Sequence, residues 1–170
     1  MTGQRKSVKI FGAIEMWKTR FHYQRDSVFN AETYLAFLQS LARRYRRQGA
    51  ILIHDNASYH KKPLVQSWID TNADWLKVQP LPKYSPELNP QEGLWRYTRR
   101  NGTHNRYFET VDQLSGTLTR VFDEMQNYPE LIRPSLLPFF NYYVPLFMRV
   151  CIDLSHGCWH GGELVRTACT

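Results

Sequence analysis

The chain opens on two segments, SVKIFGAIEMW and TRFHYQRDSVF, in which β-branched and aromatic residues are spaced as in half-buried strands. The short polar link between them predicts a hairpin. From Asn30 the period lengthens: Tyr34, Leu35, Leu38, Leu41 and Tyr45 recur at helical spacing, which predicts a helix capped by Asn30, buried along one stripe and stopping near Gly49. AILIH is a short apolar run cut off by Asp55-Asn56, as expected of a buried strand entering a turn. Pro63 then opens a helix with Leu64, Val65, Trp68 and Ile69 on one face, and the prolines of WLKVQPLP put the next strand towards an edge or an end. A third helix is predicted with Asn89 as its cap, Pro90 at its first position and Gly102 just past its end. Thr110 and Gln113 have the spacing of a capping box for a fourth helix, carrying Leu114, Leu118, Val121, Phe122 and Met125. The order β-β-α-β-α-β-α-α predicts an α/β fold, a sheet covered by helices.

Beyond residue 130 the pattern weakens. LLPFFNYYVPLFM is aromatic and proline-broken, and a Gly/Cys/His-rich end follows, so we expect a body over 1–130 and a loosely packed or disordered tail over 131–170. The prolines, Asn141, Arg149 and Asp153 argue against a membrane span there. Charge divides the same way. Residues 134–170 hold Arg149 and Arg166 against Asp153 and Glu163, so all of the +7 lies in the first 133 residues (20 basic against 13 acidic). An excess of that size favours a polyanionic partner. Three cysteines, all in the last 20 residues, make no disulfide framework, and the start lacks the apolar core of a signal peptide, so a reduced, cytoplasmic setting is expected, with no membrane partner.

The candidate chemistry sits at strand and helix ends. Asp55 follows a buried strand, where open α/β sheets bind ligands, although an Asp-Asn pair also serves simply as turn chemistry. Glu92 falls on the first turn of the third predicted helix, where it could instead complete a capping box with Asn89. His54 and His60 flank Asp55 and could orient a phosphate or accept a proton, while His60, before Lys61-Lys62, reads equally as a solvated turn residue. Asp55, His60 and His104 lack the spacing of a zinc motif, and so does the His156, Cys158, His160 group.

Two segments together change the picture. IHDNASYH at 53–60 and LPKYSPELNPQEGLW at 81–95, with 36 residues between Asp55 and Glu92, closely resemble the surroundings of the second and third acids of the DDE transposases of bacterial insertion sequences related to mariner elements. The resemblance runs from about Ser7 to about Met125 and takes in VKIFGAIE, FNAETYLAFLQSL and THNRYFET. It implies an RNase H-like fold, with Asp55 and Glu92 as catalytic residues and ligands of Mg²⁺ or Mn²⁺, and Asn56 and His60 in support. It also implies double-stranded DNA as partner, at transposon ends and at target sites, in a bacterial, nucleoid-associated setting.

In the resembled family a first Asp lies on an opening strand upstream of the segment matching SVKIFGAI, and this chain begins only a few residues before it. That strand and its Asp are therefore expected to be missing, with Glu15 and Asp26 not replacing it. On this expectation the fold is incomplete at its N-terminus, and a neighbouring strand edge is left unpaired and prone to self-association. The chain alone would be a catalytic-domain fragment with little or no activity, completed by an upstream transposase half or by another copy of itself. The alternative is a non-catalytic DNA-binding or regulatory fragment; a nuclease cutting RNA in hybrids ranks behind both. Lys61, Lys62, Arg96, Arg99 and Arg100 are the expected DNA-backbone contacts. Arg43, Arg44, Arg46 and Arg47 read better as a solvated face.

Overall fold

A computed structural model describes residues 7–83, 85–143, 150–160 and 163–165, the side chains of 86, 141–143 and the last two segments excepted. The N-terminal hairpin is present as β1 (Ser7–Glu15) and β2 (Arg20–Asp26), paired antiparallel from Lys9↔Asp26 to Glu15↔Arg20. Then come α1 (Ala31–Tyr45), β3 (Ala50–His54), α2 (Pro63–Thr71), β4 (Leu76–Pro80), α3 (Gln91–Thr98) and α4 (Val111–Asn127), in the order that the pattern predicts. The reasons are local. Asn30 and Thr33 form a reciprocal cap at the start of α1, and Thr110 and Gln113 do the same for α4. β4, with its proline, lies at an edge of the sheet.

Alternation along β1 builds the two cores. Val8, Ile10 and Ile14 join Ile53, Leu94, Trp95, Leu118 and Phe122 on the α3/α4 face. Phe11 and Ala13 join Leu52, Tyr34, Phe37, Leu38 and Val65 on the α1/α2 face. Each large apolar side chain so buried contributes roughly 1.5–3 kcal/mol. Trp95 is buried, and half-buried Trp68 and Trp75 meet edge to face at 6.2 Å, so these indoles serve packing.

The compositional shift near residue 130 is not a break in packing. Residues Arg133–Tyr143 form α5, and Ile132 and Leu136 are fully buried in the α3/α4-side core. The chain then supplies two more strands, β5 (Val150–His160) and β6 (Glu163–Val165). β5 enters the middle of the sheet, whose order is β2-β1-β5-β3-β4, with β6 paired to β5. It runs antiparallel to β1, with a register shift between Ile10 and Phe11, and parallel to β3. This corrects two expectations. Residues 150–160 and 163–165 pair into the sheet rather than lying loose, and the edges of β1 and β3 that a missing strand would leave open both pair with β5. A central strand taken from the far end of the chain has no local sequence signature, because its pairing partners are 99 or more residues away.

Candidate active site

Asp55 is the first residue beyond β3, and its backbone turns immediately. Its Oδ1 accepts the Ala57 N–H at 3.0 Å, so the turn chemistry is real, yet the side chain remains 32% exposed. Asn56 ties this turn to the segment leading to Glu92: its Nδ2 donates to the Leu81 carbonyl at 2.6 Å, while the Leu81 N–H donates to the His54 carbonyl at 2.8 Å. Leu81 is buried in the core shared with Leu94 and Trp95 of α3. Asn56 thus shapes the turn around Asp55 and couples it to the connection before α3.

His60 is not a solvated turn residue. A 3₁₀ turn over Ser58–Lys61 folds it back so that it is buried, with Nδ1 donating to the Asp55 carbonyl at 2.9 Å and lying 3.4 Å from Asp55 Oδ1. A carbonyl only accepts, so Nδ1 carries the hydrogen. Its ring stacks on His54 at 4.3 Å and lies 4.2 Å from the Tyr34 ring. His54 is itself buried, with Nδ1 3.3 Å from the Tyr34 hydroxyl. Burial holds the His54 pKa down at about 4, with Asp55 opposing and Lys61 reinforcing the shift, so the ring is neutral near pH 7. Both imidazoles are buried and hold the Asp55 turn, and both also border the groove beside it.

This open groove, of about 820 Å³, is lined by Asp55, Asn56, Lys61, Gln66, Lys77 and Gln79 among others. Lys61, which lines it, and Lys62, next in the chain, are exposed. Glu92 does not line this groove. It is half-buried on the first turn of α3, and the expected capping box with Asn89 does not form. The N-cap is Pro90, one residue later than predicted, so the N3 position passes to Gly93; the Asn89 side chain accepts from the Gln91 N–H at 3.0 Å instead. Arg96, one turn after Glu92, is exposed, as are Arg99 and Arg100. The α-helix ends at Thr98 and continues as a π-helical turn over Arg99–Thr103, so α-helical spacing does not carry through to Arg99 and Arg100. Gly102 lies inside that turn, where a Cβ would stand 3.1 Å from Val121 Cγ2.

Glu15 and Asp26 lie apart from the Asp55 turn. Glu15 is buried and accepts the Tyr45 hydroxyl hydrogen at 2.9 Å, and Asp26 accepts from Gln24 on β2, which two strands separate from β3. Among the described residues no three His, Cys, Asp or Glu side chains come together to hold a metal ion. The side chains of His156, Cys158 and His160 lie outside the described set. No helix among the described residues is long and apolar enough to cross a membrane. One residue was overlooked in the sequence: Gln91 is fully buried, with neither side-chain polar atom hydrogen-bonded. A glutamine inside a polar run gives no local signal of such burial.

Comparison with known proteins agrees with this architecture. A family model described as DDE superfamily endonuclease matches residues 1–115. An uncharacterized protein, y4pE/y4sA, of Sinorhizobium fredii (strain NBRC 101917 / NGR234) is 31% identical over 80 residues, 47% of this chain; the chain spans only about half, 56%, of that relative's length. The fold is similar to the catalytic domain of Mos1 mariner transposase, with a TM-score of 0.65 at 20% identity over 82% of this chain and 72% of that one. The same domain solved with raltegravir and Mn gives 0.65 at 18% identity, over 83% and 77%. A Mos1 strand transfer complex gives 0.54 at 21%, over 74% and 37%. The sheet and its flanking helices are therefore an RNase H-like fold.

Proposed function

Because the chain belongs to the DDE superfamily endonucleases, we propose that it acts on DNA phosphodiester bonds as the catalytic part of a transposase, cutting transposon ends and joining them to target DNA. The observation that carries this reading is Asp55, partly exposed past the carboxyl end of β3 in a groove edged by lysines. Asp55 and Glu92 offer hard oxygen donors, which suits Mg²⁺ or Mn²⁺ and not a zinc-type N/S site. Such a cation, when bound, stabilises charge on the phosphoryl oxygens and activates the attacking water or hydroxyl.

The protein groups do the positioning. The Ala57 N–H fixes one Asp55 oxygen at the edge of the groove. His60 and Asn56 hold the turn, and α3 carries Glu92 on a rigid first turn. Lys61, Lys62, Arg96, Arg99 and Arg100 are exposed and attract the DNA backbone without reading its sequence. On two carboxylates alone the cation is weakly held, and cutting by the isolated chain is slow.

A second reading, DNA binding without cleavage, is favoured by the lack of a three-ligand metal group among the described residues. Nicking of supercoiled DNA in Mn²⁺, read on gels for the wild type and for Glu92→Ala, separates the two. Metal-dependent nicking that Glu92→Ala abolishes supports the transposase reading. Salt-dependent binding that is equal in both proteins, with no nicking in either, supports the second.

A further inference from the structure

We infer that Tyr107, in the loop between α3 and α4, is a stacking platform for an unpaired DNA base, set in an arginine-rich stretch that attracts the phosphates of the same strand. The inference rests on the reading of the chain as acting on DNA and adds a contact to a base. Tyr107 is 86% exposed, more than any other large apolar or aromatic side chain among the described residues. Its place in the chain says what would cover such a ring. Residues 93–108 hold Arg96, Arg99, Arg100 and Arg106 and no acid. All four arginines are exposed, as is His104. α4 adds Arg120, whose guanidinium donates to the Asn101 carbonyl at 3.3 Å while lying 3.7 Å from Glu124. Tyr128 is a contrast within the same fold: 55% exposed, it stands in the chain between Glu124 and Glu130. Positive charge beside an exposed ring fits a partner that carries phosphates and flat π-faces together, which is a nucleic-acid strand and not an apolar protein surface.

The loop presents this ring on a fixed backbone. On its near side the His104 N–H donates to the Arg99 carbonyl at 2.8 Å and the Arg106 N–H to the Thr103 carbonyl at 3.2 Å, and Thr103 is buried. Asn105 turns the chain between them with a φ of 54°, a left-handed conformation that asparagine tolerates better than most residues. On the far side Phe108 is buried in the α3/α4-side core, and the Glu109 and Thr110 N–H groups both donate to the Gln113 side chain, at 2.8 and 3.3 Å. Tyr107 is thus pinned from both sides while its ring stays in solvent, so little backbone freedom remains to be lost on binding. Inside an intact duplex every base face is already stacked, and a tyrosine on a protein surface reaches one most readily where a base is unpaired. Strand cutting supplies such bases, since a pair at a fresh end has a stacking neighbour on one side only.

The test is fluorescence anisotropy with a blunt DNA duplex and with the same duplex carrying a single-stranded overhang, on the wild type, Tyr107→Ala, Tyr107→Phe and Tyr128→Ala. Tyr107→Ala is expected to bind the overhang DNA roughly tenfold more weakly, with its affinity for the blunt duplex and its slope of log affinity against log salt unchanged, because a neutral ring displaces no counterion. Tyr107→Phe keeps the ring and should match the wild type, as should Tyr128→Ala. Iododeoxyuridine placed in the overhang and irradiated should crosslink to Tyr107 of the wild type. Wild-type affinity of Tyr107→Ala for the overhang DNA, or an equal loss on both DNAs, overturns the inference and leaves the DNA reading standing. So does an effect of Tyr107→Ala confined to sedimentation of the protein alone, which would assign the ring to a protein contact. A wild type that binds neither DNA overturns both. Should Tyr107→Ala lose the circular dichroism of the folded chain, the crosslink decides, and its absence at Tyr107 refutes the inference.

Discussion

His22 makes the stability of this protein fall as the pH drops from 6.5 towards 4. Its Nε2 lies 2.7 Å from the Tyr45 hydroxyl, whose hydrogen is donated to Glu15 at 2.9 Å. That oxygen can then only accept from His22, so Nε2 carries the hydrogen and the network joins β2, β1 and α1. Burial, then Arg44 and Arg20, lowers the pKa of the ring from 6.5 to about 4. Below pH 6.5 the unfolded chain takes up a proton that the folded ring refuses, so the stabilisation is full above 6.5 and is lost as the pH falls through about 4. Between pH 6.5 and pH 5, at about 1.4 kcal/mol per unit, the loss has a ceiling of about 2 kcal/mol. The ring is only half-buried, and solvent screening brings the expected loss to about 1 kcal/mol. His22→Gln keeps a donor towards Tyr45 and removes the titration. Urea unfolding at pH 7 and pH 5 should show the variant losing about 1 kcal/mol less than the wild type, with His54, also lowered to about 4, behind part of what remains. Equal losses in the two proteins, or a His22 pKa above 6 by NMR, would refute the reasoning.

Other expectations follow from packing and charge. Phe122 is fully buried, with ring centroids 5.4 Å from Phe21 and 4.7 Å from Tyr23, so Phe122→Ala should cost about 3–5 kcal/mol in urea unfolding; a loss under about 1 kcal/mol would mean that α4 does not anchor this face. Gly12→Ala should cost about 1–3 kcal/mol, because the new methyl meets the Gln91 amide and lies 3.2 Å from Phe21 and from Trp95; a neutral result would show that α3 shifts freely over β1. Replacing both Lys61 and Lys62 with Gln should weaken DNA binding uniformly across sequences and flatten the plot of log affinity against log salt by about 2, measured by fluorescence anisotropy; an unchanged slope would place the DNA elsewhere.

What was legible in the sequence was what neighbouring residues decide. The hairpin, the caps at Asn30 and Thr110, the buried run AILIH and the edge position of the proline-bearing strand all follow from periods and end signals within a few residues. The places of Asp55 just past β3 and of Glu92 on the first turn of α3 were legible for the same reason. Errors arose where a tertiary contact outweighs a local preference. Asn89 cedes the cap to Pro90, and His60, beside two lysines, is drawn into the core by stacking on His54 and Tyr34. The largest omission was β5, since VCIDLSHGCWH becomes a central strand only through β1 and β3, which it meets from the other end of the chain. Such pairing is settled by which edges are left open, not by the strand's own propensity. A hairpin and a parallel pair with facing unpaired edges form a slot of fixed register, which this strand fills. The segment that composition marked as separate from the body is therefore the one that joins its two halves.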